Sequence, residues 1–405
     1  MGEVGHQGVA EEAEGASALL GARGGGGPGP LAPAKAAPIP LGVRALCGDD
    51  RDEETCKALE GSADRVRAMP SENRALMFAD WGVVALHAND VPLAKEMLDR
   101  AVEIMGAMIV EGEREKKVKS LGGKEGEKLF KGEPHERVMV YLYRGLLYMA
   151  EGDYDNAQAC FKSASLQDAL AEGKNERANW LTPDLLLAAC MRLSGDANLP
   201  ELLDSIKARY GTEVEGTILV LERESPRVIV LLGVGNPPEK RTVKAYGEEL
   251  AYTPCPTRVR AIRLVHGSGN RDTLRADDVY QQAITRGRRK MDEILTQKAQ
   301  SRKQTQSAGD VLATLAPLAG QASILFAIGA ELTWRSSEKI GTDADCRQMR
   351  ALPGELYLYI GNARELGDGF TVEALSDGGR ALASGEVRRL PGQGKVAIIV
   401  GRLPY

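Results

Sequence analysis

Two stretches of this chain repeat one arrangement of small and bulky residues, and that arrangement most restricts what it can fold into. Arg137 to Asp168 reads RVMVYLYRGLLYMAEGDYDNAQACFKSASLQD. Tyr141, Gly145 and Tyr148 are spaced as on one helix, and Ala157, Phe161 and Ala164 as on a second. Gly152 between them tolerates the left-handed conformation that ends a helix, and Asp153 suits the cap of the next. The expected packing is steric. Gly145 lets the second helix approach, Ala157 presses back, and Phe161 and Tyr148 fill the space left over. FADWGVVALHANDVPLAKEMLDRA upstream keeps the register: Phe78, Gly82 and Ala85, then the turn Asn89-Asp90, then Ala94, Leu98 and Ala101.

The Gly-to-Ala spacing is the same in both copies, as in tetratricopeptide-type repeats of paired helices. A third, eroded copy runs from Pro183 through Ala188, Met191 and the Gly195-Asp196 turn. Pro200 then stands where a small residue belongs, so this copy is expected to fail halfway. Between the good copies, Glu111 to Arg137 nearly balances lysine against glutamate and reads as a solvated helix end plus loop, or as a docking loop for a charged partner. In VMVYLYRGLLYMA only Arg144 is charged, and a helix apolar nearly all round is normally buried. Its inner face should therefore be covered by the third helical pair, the C-terminal domain or a partner.

With 405 residues and 43% hydrophobic content the chain has material for two domains. A net charge of −5 opposes wholesale nucleic-acid binding. Cys47, Cys56, Cys160, Cys190, Cys255 and Cys346 form no C-x-x-C pair, and Cys160 and Cys190 read as small hydrophobes. A loop disulfide between Cys47 and Cys56 is one option. His6, His87, His135 and His266 are far apart, which opposes zinc hydrolase chemistry. No catalytic, cofactor-binding or metal residue is assigned. Residues 1–45, rich in Gly, Ala and Pro at GARGGGGPGPLAPAKAAPIP, read as a disordered tail without the apolar core of an export signal.

From Glu213 the pattern changes. GTILVLE and RVIVLLGVG read as two strands, followed by strands in RTVKAYGEELAYTP and TRVRAIRLV. Helical spacing returns in DDVYQQAITRGRRKMDEILTQKAQSRK, and ELYLYIG, FTVEALS and KVAIIVGRL suggest a small antiparallel sheet. Whether the two strand groups share a sheet is not set by periodicity. LLGVGNPPEK places Pro238 where a dinucleotide fingerprint needs its third glycine, and Gly394-Lys395 lacks the rest of a phosphate loop. Val311 to Ala330 carries no charge over twenty residues, interrupted by Pro317 and Gly320; it reads as a buried or interfacial helix, with a membrane span as the alternative. Arg286, Arg288, Arg289 and Lys290 form a solvated basic face, or one for anionic lipid or glycan.

Three further segments, Lys131 to Arg137 (KGEPHER), Gly235 to Lys240 (GNPPEK) and Ala344 to Pro353 (ADCRQMRALP), complete a likeness. From about residue 70 onward the chain resembles a family of uncharacterised bacterial envelope proteins with tetratricopeptide-like helices followed by a β-rich domain. The resemblance implies export, lipoprotein character and placement on the periplasmic side of the envelope; a cytoplasmic location is the alternative. The chain departs from it in lacking a lipobox before Cys47, where Arg44-Ala45-Leu46 stand, and in carrying Met349 near a position where an aromatic is common. No catalytic residue carries over.

The expected architecture is α+β: a tail at 1–45, a helical repeat domain at 46–212, and an antiparallel β-rich domain at 213–405 with helices inserted at 276–335. The expected role is a non-enzymatic scaffold that binds protein partners, with no cofactor and no nucleic acid. The alternatives are a lipid- or glycan-binding module using the helix around Arg288, and an enzyme with dispersed residues such as Asp345, Arg347 and Glu355.

Overall fold

Each of the two repeated patterns folds as a pair of helices. The computed structural model describes residues 66–68, 70–106, 128–169, 180–267, 269–285, 290–315, 323–338, 342, 344–362, 370–387 and 389–403, all within one unit, Pro40–Tyr405. Helices α1 (Ser71–His87) and α2 (Val91–Gly106) form the first pair; α3 (Pro134–Glu151) and α4 (Tyr154–Ala169) form the second. Gly152 closes α3 in the left-handed region at φ 84°. A third pair follows, α5 (Leu181–Ser194) and α6 (Leu199–Tyr210), also joined through a left-handed glycine, Gly195 at φ 75°. Pro200 lies in the first turn of α6, where a missing N–H leaves no helical bond unmade, so the third pair does not fail halfway.

GTILVLE is not a strand. It lies in α7 (Glu215–Arg223), with Ile218 and Leu221 buried and Leu219 exposed, a helical and not an alternating period. The strands begin with β1 (Val228–Val234), then β2 (Glu239–Val243), β3 (Glu249–Thr253), β4 (Ala261–His266), β5 (Gly269–Asp272) and β6 (Leu274–Asp278). Three helices intervene, α8 (Val279–Ile284), α9 (Lys290–Leu315) and α10 (Ser323–Glu338). The chain ends in β7 (Glu355–Gly361), β8 (Thr371–Leu375), β9 (Ala381–Glu386) and β10 (Ala397–Leu403).

The two strand groups interleave. One four-stranded sheet has the order β10-β1-β7-β6, a second the order β5-β4-β8-β9, and β2 and β3 form a separate hairpin. The first sheet is not purely antiparallel, because β1 pairs in parallel with β10 from Val228↔Ala397 to Val234↔Leu403. Val228, Val230, Leu232 and Val234 face Ile262, Leu264, Val372 and Ala374 across a core between the sheets. Their neighbours Ile229 and Leu231 are buried too, because helices cover the other face of the first sheet. There α1 and α3 lie on β10, α5 on β6 and β7, and α7 on β7. The inner face of the helical pairs is thus covered by the C-terminal part of the same chain.

Helix α9 sits on the β2–β3 hairpin through Leu295, Leu250 and Ala344. The uncharged run 311–330 is divided between α9 and α10, and residues 316–322 within it lie outside the described residues. No helix among the described residues is long and apolar enough to cross a membrane. Residues 1–45, the Cys47–Cys56 pair, most of the Glu111–Arg137 loop and Arg286, Arg288 and Arg289 of the basic cluster also lie outside them.

Candidate functional site

The repeat positions assemble mainly by shape. Ala94, Leu98, Ala157, Phe161 and Ala164 are fully buried, and Phe78 nearly so. A Cβ added at Gly82 would lie 2.8 Å from Leu98 Cγ, and one at Gly145 would lie 2.6 Å from Phe161 Cε1. The two glycines therefore permit the close approach expected of them. The aromatics of α3 behave differently. Tyr148 is half-buried at the α2–α3 seam, with the Arg144 guanidinium 3.6 Å above its ring, and Tyr141 packs its hydroxyl against Gly106. Buried Arg144 in turn donates to both carboxylate oxygens of Asp99, at 2.5 and 3.2 Å.

Polar chemistry concentrates elsewhere, where KGEPHER, GNPPEK and ADCRQMRALP meet between α1, α3, β2 and β10. Helix α3 opens with Glu133 as its N-cap, and the Glu133 N–H donates to Glu136 Oε2 at 2.7 Å. Glu133 Oε1 pairs with Lys240 Nζ at 2.9 Å, both side chains lying almost wholly out of solvent. Lys240 Nζ also donates to the Arg347 carbonyl at 3.1 Å, and its backbone N–H donates to Gln348 Oε1. Burial lowers the Lys240 pKa, but Glu133, Glu136 and Asp345 outweigh it and leave the ammonium held above its ordinary value. The end of the Glu111–Arg137 stretch is thus a buried joint and not a solvated loop.

The ADCRQMRALP segment is fixed at almost every residue. Arg347 donates to Asp345 through Nε at 2.9 Å and Nη2 at 2.7 Å. It also reaches the Glu72 carbonyl at 2.8 Å, Asn73 Oδ1 at 2.9 Å and the Lys128 carbonyl at 2.9 Å. Burial raises the Asp345 pKa, but hydrogen bonds from Arg347 and the charge of Lys240 bring it below the ordinary value. The Met349 N–H donates to Glu136 Oε1 at 2.6 Å; the Arg350 and Ala351 N–H groups donate to Asp80 Oδ1 at 2.9 and 3.0 Å. Arg402 of β10 closes the far side, donating to the carbonyls of Ala351, Leu352 and Gly235. Beyond Arg402, His87 stands edge-on to Tyr143 at 6.0 Å, and burial holds its pKa down to about 3, so the ring is neutral.

Asp345 and Arg347 are thus brought together, whereas Glu355 joins a different group, with Arg275 at 2.9 Å and the Tyr357 hydroxyl at 3.0 Å. Two surface grooves lie apart from the network. One of about 290 Å³ is lined by Arg192, Leu199, Leu203, Asp204 and Glu222 among others; one of about 150 Å³ includes Pro238, Cys255, Arg260 and Glu355. Both fall below the usual size of a small-molecule pocket, about 300–1,000 Å³. Among the described residues no cluster of His, Cys, Asp and Glu could hold a metal ion. Cys160 and Cys190 are free thiols, and burial raises the Cys160 pKa to about 11.

Sequence reasoning missed Asp80, Glu133, Glu136, Lys240 and Arg402 as a group. The available signal was the glutamate pair flanking Pro134, a helix-start signature. Gly394-Lys395, set aside as a phosphate loop, instead caps α3: the Gly394 N–H donates to the Ala150 carbonyl at 2.9 Å, and the Lys395 N–H to the Tyr154 hydroxyl at 2.8 Å. No family model, curated protein or solved structure matches the chain.

Proposed function

We propose that this chain is a non-enzymatic scaffold of the bacterial cell envelope, holding partner proteins on tetratricopeptide-like helical pairs that its β-rich part braces from behind. The observation that carries the reading is where the charged groups go. Glu133, Glu136, Lys240, Asp345, Arg347 and Arg402 direct their donors and acceptors at one another and at the chain's own backbone. Such a joint serves rigidity, which a platform needs. The face left outward carries isolated apolar side chains, Leu166 on α4 and Leu219 on α7, 54% and 43% exposed. Placement in the envelope rests on the likeness of the three motif segments alone.

Photo-crosslinking residues placed at 166 and 219, with a control at Asn270 on the exposed strand β5, test this in living cells. Discrete adducts from the helical positions and none from the control are expected. Adducts absent from both helical positions would overturn the reading.

A further inference from the structure

The segment Ala344–Pro353 has neither helical nor strand structure, yet it is the part of the chain that seats the strands on the helices. Its seat is built from carboxyl groups that receive backbone N–H donors. Asp80 on α1 takes those of Arg350 and Ala351 on a single oxygen, Oδ1, which leaves Oδ2 to carry a proton. Glu136 on α3 takes that of Met349. On its other side the segment is gripped by Arg402, and it runs through Gly354, whose N–H donates to the Val234 carbonyl at 2.8 Å, straight into β7. We propose that Ala344–Pro353 is a pH-responsive strap: acid tightens its seat on α1 and α3, and ionisation of Asp80 and Glu136 near neutrality loosens it.

The charges around the seat set the direction. Glu133 at the start of α3, Lys240 on β2, Asp345 and Arg347 within the strap and Arg402 on β10 are all buried or nearly so. Lys240 is matched by Glu133 and Arg347 by Asp345, while Arg402 gives its hydrogen bonds to carbonyls. Arg350 has its side chain at the exposed edge, His87 on α1 is neutral, and burial holds Tyr143 on α3 well above the ordinary tyrosine value. With Asp80 and Glu136 protonated, this interior holds three cations against two anions; with both ionised, it holds three against four. Two neighbouring carboxylates then share a seat with one cation not already matched.

Burial raises both groups to about 7, from ordinary values of 3.8 for Asp80 and 4.5 for Glu136. Because the folded values are the higher ones, the folded seat binds protons more tightly than the unfolded chain. The stabilisation is complete below the ordinary values and is lost as pH rises through about 7.

Hydrogen exchange of the full chain from pH 5.5 to 8.5, corrected for the intrinsic pH dependence of amide exchange, tests the strap directly. Protection at Met349, Arg350 and Ala351 is expected to fall about tenfold or more, one pKa unit being a factor of ten, while the β1 amides lose less. In Asp80→Asn, which keeps an acceptor oxygen without the titration, the fall should shrink; Glu136→Gln is the second variant, should the first not fold. An unchanged profile in a folded variant, or an equal fall in β1, would overturn the proposal. Infrared titration of the wild-type chain provides a check without substitution: a protonated carboxyl band should persist to near pH 7, and its complete loss by pH 5 would overturn the proposal as well.

Discussion

Gly145 faces Phe161 so closely that an added Cβ would lie 2.6 and 2.8 Å from two of its ring carbons. Helices α3 and α4 therefore touch where one has no side chain and the other its largest. Gly145→Ala gains about 1 kcal/mol of intrinsic helix propensity. The displaced ring costs more, about 1–3 kcal/mol for an overpacked core. A net loss of stability is expected in urea unfolding, with part of it restored by adding Phe161→Leu; a stabilised single variant would show that the helices separate freely.

Lys240 and Glu133 form the sealed pair at the joint, with side-chain exposures of 3% and 7%. Lys240→Met leaves a buried carboxylate without its cation, a loss of about 3–5 kcal/mol. Replacing both partners, as Lys240→Met with Glu133→Gln, should cost clearly less, because no charge is stranded. A double-mutant cycle from denaturation midpoints reads the coupling, and additive effects would mean that the pair contributes nothing as a pair.

Much of this architecture is visible in the residues, and the rest is invisible for physical reasons. The paired helices show because Gly82 with Leu98 and Gly145 with Phe161 encode contact within a short span. Strand β1 shows as VIVLLGV because a strand covered on both faces is apolar throughout. Helix α7 was hidden by Thr217, Ile218 and Val220, whose local β preference is overruled by the burial of Ile218 and Leu221 on one side. Strand β9, ALASGE, has small residues with no strand preference and exists by pairing with β8. The parallel match of β1 with β10 joins distant parts of the chain, as does the meeting of Lys240 with Glu133. Periodicity carries no record of such pairings.

Asp277 of β6 reaches across to α5 and accepts the N–H groups of Leu181 and Thr182 at 2.9 and 2.8 Å. A helix start is thus capped by a residue far along the chain. Asp277→Ala should cost about 1–3 kcal/mol, the penalty for donors left buried and unpaired. Burial raises the Asp277 pKa from 3.8 to about 6, so its contribution to stability is complete below the ordinary value and declines as pH rises through about 6. Asp277→Asn should flatten the pH dependence of the melting temperature between about 4 and 6; the same slope in variant and wild type would assign that dependence to other groups.

The Gly392–Gly394 loop bears on the end of the very helix that the repeat pattern identifies. A Cβ at Gly394 would meet the Met149 carbonyl oxygen at 2.5 Å, and one at Gly392 would collide with the carbonyl of Ala150. These neighbours are backbone at the last turn of α3, and a helix terminus cannot yield as a side chain can. The same loop supplies the Gly394 N–H to Ala150 and leads into β10, the strand that carries Arg402. Gly392→Ala should therefore lift the loop, expose the last carbonyls of α3 and weaken the Arg402 grip on the strap at once. Hydrogen exchange should show lost protection at Gly394 and, with it, at the strap amides of Met349 to Ala351, while the α1–α2 pair stays unchanged. Loss confined to the loop would mean that the cap and the strap are held independently, and that β10 does not link them.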